Sequence, residues 1–273
     1  MIFNIIMSGI IFNKERKMKK IAIITGASSG IGKEFALKLN TYDKFDEVWV
    51  IARNLDKLNE LKGQIPFPIK PISLDLSKEE SIEQFTQMLK EENPCISLLI
   101  NCSGYGKFQK STEYSLDINM NMVDLNCKAL MGLCLTSIPY MVKGSKIINI
   151  ASVAAYQPIP YINVYAATKA FVMYFSRALN SELKPEGISV MAVCPFWTKT
   201  AFFDRAVLDG EPVVKKYVAM YDPKDVVKRA YKDLKRCKDV SIYGFKAKAQ
   251  TLLVKLLPHS LVMKIWKKQQ KLK

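Results

Sequence analysis

The chain has 273 residues, of which 49% are apolar and 24% are charged. These proportions are typical of soluble globular proteins, and they exclude a disordered chain, a collagen and a small disulfide scaffold. The formal net charge is +16, and residues 223–273 carry 15 basic and 3 acidic side chains, which leaves +4 for the rest. A basic C-terminal region suits a membrane surface, a nucleic acid or an acidic partner.

The six cysteines form no Cys-x-x-Cys pair, and the chain has a single histidine. We therefore predict no metal site. Most of the cysteines lie in apolar runs, so we expect buried free thiols in a reducing, cytoplasmic compartment. His259 follows Pro258 close to the C-terminus. This position gives a Ser-His-Asp hydrolase no usable histidine.

The N-terminal segment, residues 2–12, is apolar, but its charged cluster follows it instead of preceding it. A secretory signal has the opposite order, and 11 residues are too few to span a bilayer. Met18 opens a run that reads as a complete start. We therefore expect residues 1–17 to be a non-native extension, with a mobile tail or a weakly membrane-touching segment as the alternatives.

From residue 20 onward, short β-rich runs alternate with segments of helical length. The predicted strands are 21–25, 47–52, 67–76, 96–101, 146–152 and 188–193, and the predicted helices are 31–39, 54–62, 77–92, 116–141 and a segment that ends at Ser181. Ser77, with Glu80 three residues later, fits a helix N-cap. The strands are apolar on both faces, as in a covered parallel sheet. This alternation predicts an α/β fold, a Rossmann-like doubly wound parallel sheet in three α/β/α layers.

A glycine-rich turn, Thr25 to Gly32, follows the first predicted strand and opens the first predicted helix. Glycines there allow a tight turn and let the backbone approach a pyrophosphate, while the helix N-terminus favours negative charge. The residues we expect to bind a dinucleotide in this turn are Gly26, Ser28, Ser29, Gly30, Ile31 and Gly32.

A second pattern joins Tyr165 and Lys169, four residues apart on one face of a helix, with Ser152 at the end of the preceding strand. Free tyrosine has a pKa near 10, so it is a poor acid–base group at neutral pH. A nearby ammonium is expected to lower that pKa, and a serine hydroxyl can hydrogen-bond the reacting oxygen.

Together these features resemble the short-chain dehydrogenase/reductase family over residues 20–243. The resemblance also covers Asp75 in "LDLS", "NCSG" at 101–104, Asn126 in "DLNCKA" and "CPFWTKT" at 194–200. It implies that Tyr165 is the general acid/base, that Lys169 binds the nicotinamide ribose, and that Ser152 holds the carbonyl. Asn126 would support a proton-relay water. The other cofactor contacts it implies are Asp75 and Leu76 near the adenine, Asn101 and Gly104 near the ribose, Thr200 near the carboxamide, and also Pro195 and Thr198.

The end of the second predicted strand indicates the cofactor. NAD-selective sites carry an acid there, whereas this chain has Ala52 and Arg53. A guanidinium suits a 2′-phosphate, so NADP(H) is favoured over NAD(H). The alternative is an exposed arginine without a role.

Two departures from the family pattern concern the site. Cys102 and Ser103 replace the usual Asn and Ala, and both are small. Phe196 replaces the usual glycine after Pro195, and Trp197 follows it. These two aromatic residues either form a wall for a bulky hydrophobic substrate or pack beneath a substrate loop at 200–221.

The C-terminal tail, residues 244–273, contains eight lysines and no acidic residue. Its pattern predicts an amphipathic helix broken near Pro258. Such a helix suits an anionic membrane interface, and the alternative is a helix packed on the domain with a fringe of lysines. Nucleic acid is disfavoured because no reading element accompanies the charge.

The sequence as a whole favours an NADPH-dependent reductase of a ketone or aldehyde on a hydrophobic substrate, such as a steroid, a 3-ketoacyl chain or a long-chain carbonyl. The alternative is a catalytically silent nucleotide-binding or membrane-docked module on the same fold. The family resemblance also implies a homo-oligomer that pairs through helices 116–139 and 162–181. We expect a cytoplasmic protein, with peripheral membrane contact through the tail.

Overall fold

The computed structural model describes residues 18–206 and 213–272. The extension proposed for residues 1–17 lies outside this part of the chain. The strands are β1 (Lys20–Thr25), β2 (Glu47–Ala52), β3 (Ile69–Ser73), β4 (Cys95–Asn101), β5 (Lys146–Ile150), β6 (Ser189–Val193) and β7 (Val240–Ser241). The helices are α1 (Gly30–Leu37), α2 (Leu55–Asn59), α3 (Glu79–Glu92), α4 (Leu116–Val123), α5 (Leu130–Ser137), α6 (Asn163–Leu183), α7 (Phe202–Ala206), α8 (Pro223–Lys235), α9 (Phe245–Leu256) and α10 (His259–Gln270).

The seven strands form one parallel sheet in the order β3-β2-β1-β4-β5-β6-β7. Successive side chains of a strand point to opposite faces, so Ile21 and Ile23 of β1 join one core while Ala22 and Ile24 join the other. Helices α3, α5 and α6 cover the first face, and α1 and α8 cover the second. The predicted doubly wound α/β fold is confirmed. Its strand order reverses between β1 and β4, where ligands of such sheets bind.

The start of α8 follows from its side chains. The carboxylate of Asp222 accepts a hydrogen bond from the Lys224 amide at 2.8 Å, and Pro223 occupies the first helical turn. The prediction that Ser77 caps α3 is wrong. The helix begins at Glu79, and the Ser77 hydroxyl instead donates to the Asp75 carboxylate at 2.8 Å.

The long predicted helix 116–141 is interrupted. A π-helical turn, Asp124–Ala129, joins α4 to α5, which ends at Ser137. Such turns insert one residue into the helix and are frequent at functional sites. This one contains Asn126.

Within the part of the chain that the structure describes, no helix is both long enough and apolar enough to cross a bilayer. Helices α9 and α10 pack on the domain through short buried stripes. The buried residues of the pair are Ala247, Thr251, Val254, Val262, Trp266 and Gln270. The tail therefore consists of two helices that are separated at Pro258, as predicted, and both helices pack on the domain.

Candidate active site

A cavity of about 1090 Å³ lies at the carboxyl edge of the sheet. The N-terminus of α1 and the chain segments that follow β2, β3, β4, β5 and β6 form one part of its wall. Helices α6, α7, α9 and α10 form most of the rest. Most of the predicted site residues line this cavity, namely Gly26, Ser28, Ser29, Gly30, Ile31, Gly32, Arg53, Asp75, Leu76, Gly104, Ser152, Tyr165, Lys169, Pro195, Phe196, Trp197, Thr198 and Thr200.

The glycine-rich turn is shaped by close backbone approach. Gly26 has φ +66°, and a Cβ atom there would lie 2.9 Å from the backbone of Cys102. At Gly32 a Cβ would lie 2.3 Å from the Gly26 carbonyl oxygen. Larger residues would therefore break the turn. Ser29 precedes α1 without capping it through its side chain, so the first amides of α1 are available to an anion.

Thr25 connects this turn to the segment after β4. Its hydroxyl oxygen accepts hydrogen bonds from the amides of Cys102 and Ser103 at 3.1 and 3.2 Å. Because these bonds use only backbone donors, the replacement of the usual Asn-Ala pair leaves them intact.

Ser152, Tyr165 and Lys169 meet at the centre of the cavity wall. The Ser152 hydroxyl hydrogen-bonds the Tyr165 oxygen, and it also accepts from the Ala154 amide at 3.1 Å. One helical turn along α6, the Lys169 ammonium donates to the Ile150 carbonyl at 2.7 Å. The end of β5 thus fixes Ser152 and Lys169. The four-residue spacing on α6 places the Tyr165 ring next to both of them.

Burial shifts the pKa values of both Tyr165 and Lys169. Burial raises the pKa of Tyr165 to about 12, and the hydrogen bond from Ser152 lowers it by less. The net shift of the Tyr165 pKa is therefore upward, opposite to the expected lowering, because desolvation disfavours the phenolate. Burial also lowers the pKa of Lys169 to about 8. At neutral pH the phenol carries its proton and the lysine is charged.

Asn126 does not line the cavity. Its side-chain amide donates to the Tyr105 carbonyl at 2.8 Å and to the Thr168 hydroxyl at 3.0 Å, and its oxygen accepts from the Tyr105 amide at 3.1 Å. These bonds occupy the side chain of Asn126, whose predicted support of a proton-relay water stays a prediction. Asn126 fixes the chain beside Gly104, where a Cβ would lie 2.8 Å from the Asn126 oxygen.

Asn101 does not line the cavity, and its buried side chain bonds residues of β5 and α5. The amide donates to the Asn149 oxygen at 2.9 Å and to the Cys134 sulfur at 3.3 Å. Asn149 lies opposite it on β5 and continues the row to the Ser176 hydroxyl at 2.9 Å. Asn101 therefore links β4 to β5 and α5, and its predicted contact with the ribose stays a prediction.

The end of the cavity where the family resemblance places the adenine is basic. Arg53 is exposed at the end of β2, and Asn54 and Lys57 line the wall beside it. Among the described lining residues, Asp75 is the one acidic side chain, and it is engaged with Ser77. This end of the cavity therefore attracts an anionic group.

The other end of the cavity is aromatic. The ring of Phe108 is buried and lies 6.2 Å from Tyr165, 6.1 Å from Trp197 and 5.9 Å from Phe202, centre to centre. Reasoning from the sequence missed Phe108. Its one signal was the run "GYGKF" just after a strand that ends at the site.

Phe196 and Trp197 lie in the cavity wall and also pack against the predicted loop, while the hydrophobic substrate stays a prediction. The two rings line the cavity, and Trp197 also packs against Phe203 and Tyr217 of the predicted substrate loop, at 5.9 and 5.2 Å. The wall and the loop therefore form one aromatic cluster.

The tail contributes to the site, which the sequence did not indicate. The Trp266 indole donates to the Pro160 carbonyl at 3.0 Å, and the Gln270 amide bonds the backbone of Lys215 and Lys216. Residues of α9 and α10, among them Leu253, then close the aromatic end of the cavity.

Comparison with known proteins identifies this arrangement. The family model described as "short chain dehydrogenase" matches residues 20–209. The chain belongs to the short-chain dehydrogenase family. An uncharacterized oxidoreductase of Staphylococcus epidermidis is 30% identical over 217 residues, covering 76% of this chain and 94% of that one.

Solved structures of other short-chain dehydrogenases share the fold. A short-chain dehydrogenase from Sphingobium yanoikuyae, in complex with NADPH, matches with a TM-score of 0.74 at 27% identity over 85% of this chain and 92% of that one. The bulky-bulky ketone specific alcohol dehydrogenase from Comamonas testosteroni matches with a TM-score of 0.68 at 25% identity over 88% and 96%. This short-chain dehydrogenase is thus an oxidoreductase that interconverts CH–OH and C=O groups.

Proposed function

We propose that this short-chain dehydrogenase uses NADPH to reduce the carbonyl of a hydrophobic ketone or aldehyde. The observation that carries the proposal is the pairing of a basic adenine end, at Arg53, with an aromatic substrate end beside a protonated Tyr165. Related solved structures hold NADPH, NADP+ or NAD, so the choice of cofactor depends on the residues of this chain.

The described residues fit a dinucleotide. Gly26 and Gly32 let the turn close tightly, because a Cβ atom at either would meet backbone atoms, and the N-terminus of α1 at this turn favours the charge of a pyrophosphate. Arg53, with Lys57 close by in the chain, would hold a 2′-phosphate, because a guanidinium binds phosphate oxygens in a bidentate fashion. Lys169 would hold the nicotinamide ribose.

When bound, the reduced nicotinamide supplies the hydride. The chain's own residues handle the carbonyl oxygen. Ser152 donates a hydrogen bond to it, and Tyr165 gives it the phenolic proton. The Lys169 ammonium then stabilises the phenolate that remains. Because burial keeps the phenol protonated, the site is prepared for reduction.

The aromatic end favours a bulky hydrophobic substrate. Phe108, Phe196, Trp197 and Phe202 surround the position next to Tyr165, and such rings bind apolar carbon skeletons and exclude water. The likeness to a bulky-ketone alcohol dehydrogenase supports this class of substrate. Steroid-like ketones, 3-ketoacyl chains and long-chain aldehydes share this chemistry.

The first experiment is a fluorescence titration of the protein with NADPH and with NADH. We expect tighter binding of NADPH, and we expect Arg53→Ala to weaken it about ten- to a hundredfold, which is the loss of one strong charged hydrogen bond, while NADH binding is unchanged. Arg236→Ala, an exposed arginine outside the cavity, is the matched control. Equal affinities for both nucleotides, or equal losses in Arg53→Ala, would disprove NADPH selectivity. No binding of either nucleotide would favour a silent module.

A second experiment tests the substrate class by NADPH consumption. Bulky ketones should be reduced with higher kcat/KM than acetone, and Trp197→Ala should narrow that difference because it removes part of the apolar wall. A preference for small carbonyls in the unchanged protein would contradict the proposal.

We also propose a homo-oligomer that pairs through α4, α5 and α6. Large apolar side chains are exposed on these three helices, namely Leu116, Met120, Val123, Leu135, Phe171 and Tyr174. Exposed apolar groups of this size mark interfaces. Light scattering should give at least a dimer, and a Leu116→Ser/Tyr174→Ser variant should lower its mass. A monomeric unchanged protein would contradict this pairing.

A further inference from the structure

Helix α9 carries two apolar stripes. One stripe, Ala247, Thr251 and Val254, is buried against the domain. The other runs along the solvent side at helical spacings of four, three and four residues, through Phe245, Ala249, Leu252 and Leu256. Phe245 and Leu256 are 85% and 74% exposed. A helix packed on a domain normally presents polar residues on its outer face, so the second stripe is unexplained by the fold.

Helix α10 repeats this arrangement. Val262, Trp266 and Gln270 face inward, whereas Leu261 and Ile265, one turn apart, are exposed. We call the exposed apolar residues of the two helices the tail face. They are Phe245, Leu252, Leu253, Leu256, Leu261 and Ile265.

Lysines border the tail face. At 100° per residue, Lys246 lies on one side of the exposed stripe of α9, and Lys248 and Lys255 lie on the other. On α10, Lys264 and Lys268 lie next to Leu261 and Ile265. The sequence has no acidic residue after Asp239, and no carboxylate in the described part of the chain forms an ion pair with a lysine of α9 or α10.

The tail face is continuous with the cavity. Phe245, Leu253 and Ile265 are exposed to solvent and also line the cavity wall. The cavity therefore reaches the surface where the apolar residues and lysines are concentrated.

We propose that α9 and α10 dock the protein on the surface of an anionic lipid bilayer. Apolar side chains flanked by lysines match the acyl–headgroup boundary, where the leucines enter the apolar layer and the ammonium groups meet lipid phosphates. A second copy of this chain fits less well, because pairing two such faces would bring lysines against lysines with no carboxylate between them.

This docking goes beyond the proposed reaction and does not depend on it. One consequence rests on the proposed function. A hydrophobic carbonyl compound dissolved in the bilayer would enter the cavity directly from the lipid, without passing through water.

Vesicle flotation tests the docking in the absence of nucleotide and substrate. The full chain is mixed with vesicles of phosphatidylcholine alone or of equal parts phosphatidylglycerol and phosphatidylcholine. We expect flotation with the anionic vesicles only, and weaker flotation as salt is raised. The readout is membrane binding, so it can succeed or fail whatever the result of the nucleotide titration.

Two variants separate the apolar and the charged contributions, and neither changes a residue of the cavity wall. Leu252→Ser/Leu256→Ser should weaken binding on the order of tenfold or more. Lys248→Gln/Lys264→Gln/Lys268→Gln should weaken it about a hundredfold, from about fivefold for each lysine. Leu55→Ser/Val142→Ser, two apolar residues exposed elsewhere, is the control and should bind as the unchanged protein does. Thermal unfolding of each variant confirms that it is folded.

Three results would overturn the proposal. The unchanged protein could fail to float with anionic vesicles, or the two variants could float as well as it does. Alternatively, the leucine variant could lower the mass of the protein by light scattering without lipid, which would show that a second copy covers the tail face.

Discussion

The ammonium nitrogen of Lys169 lies 5.6 Å from the centre of the Tyr165 ring, and burial shifts the pKa values of the two groups in opposite directions. The phenol becomes a weaker acid and the ammonium a stronger one. Because the Ile150 carbonyl holds the ammonium in place at 2.7 Å, the pair keeps its geometry while its protonation responds to pH.

The pH profile should therefore show the titration of Lys169. Its pKa is lowered to about 8, so the lysine is charged below that pH and neutral above it. We expect kcat/KM for carbonyl reduction to fall as pH rises through about 8, because the neutral amine no longer stabilises the phenolate. Lys169→Arg keeps its charge at high pH and should remove this fall. A fall that persists in Lys169→Arg would assign it to another group.

Removing the proton donor should abolish most of the activity without changing nucleotide binding. We expect Tyr165→Phe to lower kcat by about 10²- to 10⁴-fold, the usual contribution of a general acid. The affinity for NADPH, measured by fluorescence, should stay the same. Tyr156→Phe is the control, because Tyr156 is also a partly buried tyrosine but does not line the cavity. A similar loss in both variants would indicate a packing effect.

Gly106 sets the position of the Tyr165 ring. A Cβ atom at residue 106 would lie 2.6 Å from the Tyr165 Cδ2 atom, so Gly106→Ala must displace the ring. We expect a loss in kcat on the order of a hundredfold, as for a displacement of about 1 Å in other active sites. Gly132→Ala, whose Cβ would meet only the flexible side chain of Ile82 at 3.2 Å, should keep normal kinetics. Unchanged kinetics in Gly106→Ala would show that the ring is free to move.

Trp266 anchors the tail to the domain. Its side chain is 8% exposed, and its indole donates to the Pro160 carbonyl. We expect Trp266→Ala to lower the free energy of unfolding by about 3–5 kcal/mol, from lost burial and the cavity left behind. Trp266→Phe keeps most of the burial and should lower it by about 1 kcal/mol through loss of the hydrogen bond. Urea unfolding measures both values. Equal losses of unfolding free energy in Trp266→Ala and Trp266→Phe would mean that the hydrogen bond to Pro160, and not burial of the ring, anchors the tail.

The sequence by itself determined the fold and several of the side chains that meet at the cavity. Apolar runs spaced by helices can bury both faces only in a covered parallel sheet, and the spacing of Tyr165 and Lys169 places them on one face of a helix wherever that helix lies. These inferences need only local periodicity. The replacement of the usual glycine by Phe196 could also be seen in the sequence, because it breaks a local family pattern.

Tertiary structure decided what depends on distant partners. The side-chain amide of Asn101 donates to Asn149, and that of Asn126 donates to Tyr105 and Thr168. These partners are distant in the chain, so no local sequence pattern could reveal them. The pKa of Tyr165 follows from how deeply it is buried, which the sequence around it does not state. The tail closes the cavity because Trp266 reaches Pro160, 106 residues earlier in the chain. Burial and long-range hydrogen bonds are properties of the packed whole, and for that reason only the structure could supply them.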